Sequence, residues 1–173
     1  GITIKFQKKM KNSILFMVFL LCLCTSLVVT NMSYGGIRGA PEGKPLVRVG
    51  DRAPLEAEDL KKAHGDGKVI LLMFGNPDHC RYCEKVWFNI MDIGSRYEQD
   101  VAVIGKRHRA AEFWGPESED AALGKRYGVI GEPWLFIIDR EGIVRHIFMG
   151  FAGLTEIEAQ LKKVLGIPSP NGH

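Results

Sequence analysis

Cysteine is scarce in this 173-residue chain, and its four cysteines form two unlike pairs. Cys22 and Cys24 sit in an apolar leader, so Cys80 and Cys83 are the only cysteines in the remainder. No other cysteine can form a structural disulfide there, which excludes a small disulfide-stapled scaffold. A four-cysteine zinc site needs a second pair and is excluded as well. Acidic residues are absent from residues 1–35, which carry Lys5, Lys8, Lys9 and Lys11. The formal net charge of +3 comes from that end: setting those four aside leaves 19 of the 23 basic side chains against 20 acidic ones. The remainder therefore has no excess of positive charge to attract nucleic acid. Internal repeats are lacking too. Length and composition, 46% hydrophobic and 25% charged, are those of one ordinary globular domain.

What the chain does have is Cys80-Arg81-Tyr82-Cys83. The hydrophobic run Val69-Ile70-Leu71-Leu72-Met73-Phe74 leads into it through Gly75-Asn76-Pro77-Asp78, and an amphipathic stretch from Val86 to Ile93 leads out. Two cysteines at this spacing on a strand-to-helix turn are the signature of a dithiol/disulfide redox site. The spacing closes a small ring, so the second thiol can attack a mixed disulfide formed by the first. A helix N-terminus aims unpaired N–H groups and the positive end of its dipole at the first sulfur, which favours thiolate.

Lys8, Lys9 and Lys11 precede an apolar run from Ile14 to Val29, the pattern of a secretory signal peptide. Residues 14–29 fall short of the roughly 20 apolar residues of a spanning helix, with a retained membrane anchor as the alternative. The domain plan is an N-terminal extension with signal peptide or anchor over 1–35, a Gly/Pro linker over 36–45, a folded domain over 46–166 and a loose tail over 167–173. Within the domain, Leu55, Leu60 and Ala63 predict a short helix ended by Gly65. Val69–Phe74 and Val101–Ile104 read as buried strands. Val86, Trp87, Ile90 and Met91 repeat at helical spacing, with Gly94 ending or kinking that helix. Residues 105–117 lack a period and read as a loop, in which Arg107, His108 and Arg109 form a solvated basic cluster. Ser118 caps a helix that runs to Tyr127 and stops at Gly128. Trp134–Ile138 and Ile143–Phe148 predict an antiparallel hairpin turning at Asp139–Gly142. Thr155 and Glu158 predict a capping box for a last helix, stopped by Gly166 and Pro168. The order of elements gives an α/β domain with a mixed sheet of four or five strands and helices on both faces.

This order, with a CxxC on the first strand–helix turn and a proline just before the hairpin, resembles the thioredoxin fold across about residues 46–166. Val49-Gly50-Asp51-Arg52-Ala53-Pro54 is similar to the opening of exported thioredoxin-like and peroxiredoxin-related proteins. The segment from Tyr127 through Glu132-Pro133-Trp134 to Gly142 is similar to their proline loop and hairpin. The nearest branch is the membrane-anchored or periplasmic reductases, some of which serve cytochrome c maturation. The resemblance implies a protein-disulfide oxidoreductase working outside the cytoplasm, more as a reductase than as an oxidant, with no cofactor beyond the Cys80–Cys83 disulfide. Its partners would be protein thiols and disulfides and a membrane or exported redox protein. The resemblance further implies that Pro133 is cis and packs beside the cysteines, and that the Glu132 backbone pairs with substrate. By its sequence alone Pro133 closes an X-Pro bond, which is usually trans.

Cys80 is expected to attack a partner disulfide and Cys83 to resolve the mixed disulfide. His79 and Arg81 would favour the Cys80 thiolate, Glu132 would oppose it, and Tyr82 would offer substrate an apolar contact. The chain departs from the family in three places. His79 replaces the usual aromatic residue before the first cysteine. Met73 and Phe74 stand where many thioredoxins carry a buried acid as proton acceptor. Glu132 replaces the common small or β-branched residue before the proline. Separately, Pro77 stands where a peroxidatic threonine would be, which argues against peroxidase activity. Glu84 after Cys83 denies the CxxC-His pattern of haem attachment. The alternative function is copper or zinc binding or delivery through His79, Cys80 and Cys83, since thiolates with imidazole suit these ions.

Overall fold

The computed structural model of the chain describes residues 46–107 and 118–168. The leader with its anchor alternative over 14–29, the linker 36–45, His108, Arg109 and residues 169–173 lie outside the described residues. Among the described residues eight elements follow in order: α1 (Glu58–Gly65), β1 (Val69–Phe74), α2 (Arg81–Arg96), β2 (Val101–Lys106), α3 (Glu119–Tyr127), β3 (Trp134–Ile138), β4 (Val144–Met149) and α4 (Leu154–Leu165). Among the described residues no helix is long and apolar enough to cross a membrane.

The sheet has four strands in the order β2-β1-β3-β4. β1 is central: it pairs in parallel with β2, from Val69↔Val101 to Phe74↔Lys106, and antiparallel with β3. β3 and β4 form the expected antiparallel hairpin. The uniform hydrophobicity of β1 follows from this position, since its alternating side chains enter two separate cores. Ile70, Leu72 and Phe74 pack with Leu60 of α1, Leu123 and Tyr127 of α3, and Phe136 and Ile138 of β3. Val69, Leu71 and Met73 pack with Cys83, Val86, Ile90 and Ile93 of α2, Leu135 and Ile137 of β3, and Ile157 and Leu161 of α4. Every residue of β1 is buried.

The opening segment does not become a fifth strand. It makes one isolated bridge, Arg52↔Ile143, flanked by Gly50 N–H to Val144 O (2.8 Å) and Ala53 N–H to Gly142 O (2.9 Å). These bonds cover part of the outer edge of β4, which limits pairing with other chains. Asp139 shapes the hairpin turn by accepting from Glu141 N–H (3.0 Å) and Ile143 N–H (2.8 Å) and pairing with Arg145.

Three local expectations are corrected. Gly94 does not end its helix; α2 continues to Arg96. The glycine is there because a Cβ would collide with Val103 Cγ2 on β2. Gly105 and Lys106 belong to β2, so the loop begins at Arg107, which is exposed as expected, pairs with Asp78 at 2.9 Å and donates its N–H to Asp120. Thr155 and Glu158 form no capping box, because α4 starts earlier, with Gly153 as its N-cap. Glu158 instead accepts from Tyr97 Oη (2.8 Å) and pairs with Arg96 and Lys162, each at 3.0 Å, joining the end of α2 to α4. By contrast, Ser118 caps α3 by accepting from Ala121 N–H (3.1 Å), and Gly128 ends it at φ 74°.

Candidate functional site

The chain leaves β1 at Phe74 and must turn sharply into α2. Asn76 organises that turn. Its side-chain oxygen accepts from Asp78 N–H (3.1 Å), and its carbonyl accepts from the N–H groups of His79 (3.2 Å) and Cys80 (3.0 Å). Cys80 is then the N-cap of α2, and its sulfur accepts the Cys83 N–H at 3.1 Å. That sulfur therefore occupies the end of the helix where donors are unpaired and the dipole is positive.

Cys80 and Cys83 form a disulfide with a Cα–Cα distance of 5.1 Å, within the range such bonds require. The two sulfurs are not equivalent. Cys83 is fully buried within the core under α2, whereas Cys80 is partly exposed. Gly75 is part of the reason for that burial: a Cβ on it would stand 3.0 Å from Cys83 Sγ, so the strand exit passes directly against the inner sulfur.

The proline loop closes the opposite side. The Glu132–Pro133 peptide is cis, and the Pro133 carbonyl accepts from Gly150 N–H at 2.7 Å, tying this loop to the one between β4 and α4. Glu132 reaches back across the site, and its Oε2 accepts from Asn76 N–H at 3.1 Å. A carboxylate oxygen of Glu132 and the two sulfurs all lie within 4.8 Å of one another.

His79 and Arg81 are exposed on the turn beside Cys80. Tyr82 is 60% exposed, with its ring 6.1 Å from that of Phe151, so two exposed aromatic side chains meet two positions along the chain from Cys80. Trp134 is buried at 2% exposure and belongs to the core. Trp87 packs over Gly105, where a Cβ would come within 2.7 Å of its ring. Lys106, opposite Phe74 in the sheet register, is engaged by Asp59 (2.9 Å) and Asp120 (3.4 Å). Burial acts to lower its pKa, but those two carboxylates raise it overall.

The metal alternative is corrected in its ligand set. Among the described residues, the one group of donors close enough to share an ion is Cys80, Cys83 and Glu132; His79 is not part of it. In the disulfide state the two sulfurs are bonded to each other. Sequence reasoning missed Asn76, Gly75 and Phe151. The Gly-Asn-Pro-Asp pattern signalled a turn, but nothing in it signalled that Asn76 N–H would meet Glu132, 56 residues away. Phe151 carried no signal, because its meeting with Tyr82 depends on the tertiary fold.

The arrangement can perform thiol–disulfide exchange: a partly exposed sulfur at a helix N-terminus and a buried sulfur within bonding reach, with a carboxylate of the proline loop near both. A family model described as a thioredoxin-like domain matches residues 56–165. No curated protein matches the chain. Among solved structures, the chain is similar to a protein of Chlorobium tepidum described as a thiol:disulfide interchange protein DsbE. That match has 24% identity and a TM-score of 0.53, covering 69% of this chain and 99% of the other. It is also similar to a thiol:disulfide interchange protein from a Bacteroides species, with 16% identity, a TM-score of 0.51, and coverage of 74% and 96%. A C-terminal domain from Bacteroides thetaiotaomicron, described as that of a thiol-disulfide oxidoreductase, has 12% identity and a TM-score of 0.52, covering 70% and 98%. At these identities the likeness is one of fold.

Proposed function

Because the chain belongs to the thioredoxin-like domain family, we propose that it is a protein thiol–disulfide oxidoreductase that works outside the cytoplasm, mainly as a reductase. The observation that carries this reading is the asymmetry of the disulfide: Cys80 is partly exposed at the N-cap of α2 and Cys83 is buried behind it. Only the outer sulfur can meet a partner protein, so Cys80 is the attacking thiolate. Its attack on a partner disulfide releases one partner thiolate and leaves a Cys80–partner disulfide. Cys83 attacks Cys80, the second partner thiolate leaves, and the partner has gained two electrons while Cys80–Cys83 is oxidised. The loop backbone at Glu132 and the ring of Tyr82 are the contacts for the partner's chain. The lysine-led apolar leader supports export, and the thiol:disulfide interchange described for the fold neighbours supports protein partners.

The test is an insulin-type disulfide reduction assay with trapping of partners. Cys80→Ser is expected to abolish turnover. Cys83→Ser is expected to accumulate partner proteins joined through Cys80. Equal turnover by wild type and both variants would overturn the assignment. Location is tested separately by labelling intact cells with a membrane-impermeant maleimide after reduction; failure to label Cys80 would place the domain inside.

A further inference from the structure

Resolution poses a proton problem that the described site answers with one residue. Cys83 is fully buried, so its thiol cannot hand its proton directly to bulk water. β1, which runs beneath it, supplies Val, Ile, Leu, Leu, Met and Phe and hence no base. Lys106 is held by Asp59 and Asp120. Glu132 alone among the described carboxylates and histidines shares a cluster with both sulfurs, within 4.8 Å. Its Oε2 is fixed by Asn76 N–H, and no other hydrogen bond to this carboxylate is seen among the described residues. A separation of this size is spanned by one bridging water, within the reach of general base catalysis.

We propose that Glu132 is the proton acceptor for the Cys83 thiol in the resolving step, doing from the proline loop what a strand acid beneath the cysteines would otherwise do. The proposal rests on the exchange reading above. In the mixed disulfide, the Cys83 proton passes to the Glu132 carboxylate. The Cys83 thiolate attacks Cys80 Sγ, the Cys80–Cys83 bond forms, and the bond from Cys80 to the partner sulfur breaks. The departing partner thiolate takes the proton back from the Glu132 carboxyl, so the step ends with the partner as thiol and Glu132 ionised. Asn76 is a positioning residue, since its N–H holds the carboxylate against the sulfurs.

The experiment follows the reduced full chain against an excess of an aromatic disulfide whose released thiolate is coloured. The first release reports attack by Cys80 and the second reports resolution by Cys83. Glu132→Gln is expected to slow the second release by about 10²-fold, at the low end for a lost general base, while the first is not slowed, because removing a carboxylate from beside Cys80 favours its thiolate. A second release within twofold of wild type, or equal slowing of both, would overturn the proton-acceptor role. If Glu132→Gln does not fold, the wild-type chain is compared in H2O and D2O. Slowing of the second release alone supports the role, and two releases with the same solvent effect overturn it. No coloured release from the wild type would instead remove the exchange reading itself, a result distinct from either outcome for Glu132.

Discussion

At the scale of single residues, burial decides which of two chemically identical groups does what. Cys80 and Cys83 differ by three positions, yet one caps a helix at the surface and the other lies in a core. The same logic governs Glu158. Partial burial would raise its pKa, but hydrogen bonds from Tyr97, Lys162 and Arg96 outweigh it and hold the carboxyl at about 2 instead of 4.5. A depressed carboxyl contributes stability that is fully present above 4.5 and lost as pH falls through about 2. Glu158→Gln is therefore expected to cost about 2–3 kcal/mol near neutral pH, with the difference from wild type shrinking below pH 4.5 and nearly gone at pH 2. Urea melts of both proteins across that range check it; a difference independent of pH would contradict the ionised network.

At the scale of elements, the close passage of α2 over β2 sets an unusual sign for a glycine substitution. In an exposed helix interior, Gly→Ala gains about 1 kcal/mol. At Gly94 the added methyl meets Val103, so overpacking should win and Gly94→Ala should destabilise by about 1–3 kcal/mol. The double variant Gly94→Ala/Val103→Ala is expected to lose less than the two single effects added together, as residues in contact do. Chemical denaturation of the four proteins measures the coupling. This position also shows where sequence reading stops. The strands β1 and β3, the cap and stop of α3 at Ser118 and Gly128, and the redox turn were legible because each rests on local pattern: unbroken hydrophobicity, a capping hydroxyl, a left-handed glycine, a two-residue spacing. Gly94 looked like a helix end because its reason for being glycine lies on another strand. Thr155 and Glu158 matched a capping pattern, but Glu158 is claimed by Tyr97 and Arg96, distant in sequence. The sequence placed Glu132 near the sulfurs through family likeness; the bond to Asn76 that fixes its carboxylate required the fold.

At the scale of the whole molecule, the redox bond is coupled to stability through a very small loop. Four residues lie in the ring closed by Cys80–Cys83, so constraint of the unfolded chain contributes only about 2 kcal/mol to the oxidised form. Every CxxC ring carries the same surplus, so direction turns on whether the folded state keeps it or reverses it. A domain more stable when oxidised releases electrons readily, as a reductase must, whereas a strong oxidant is one whose reduced form is the stabilised one. The oxidised chain is expected to be the more stable, by about 1–3 kcal/mol, in paired urea melts with and without a strong thiol reductant. A more stable reduced form would make the protein an oxidant.

The burial of β1 on both faces has a consequence for what a redox cycle can disturb. Its backbone amides are bonded to neighbours on two sides and sealed by two cores, so they exchange with solvent only when the entire domain opens. The turn bearing the cysteines thus grows from the slowest-exchanging part of the molecule. Making and breaking the sulfur bond must be absorbed at the turn itself and in the Pro133 and Phe151 loops facing it. An exchange map of the two oxidation states would then differ as a rim around an unchanged centre.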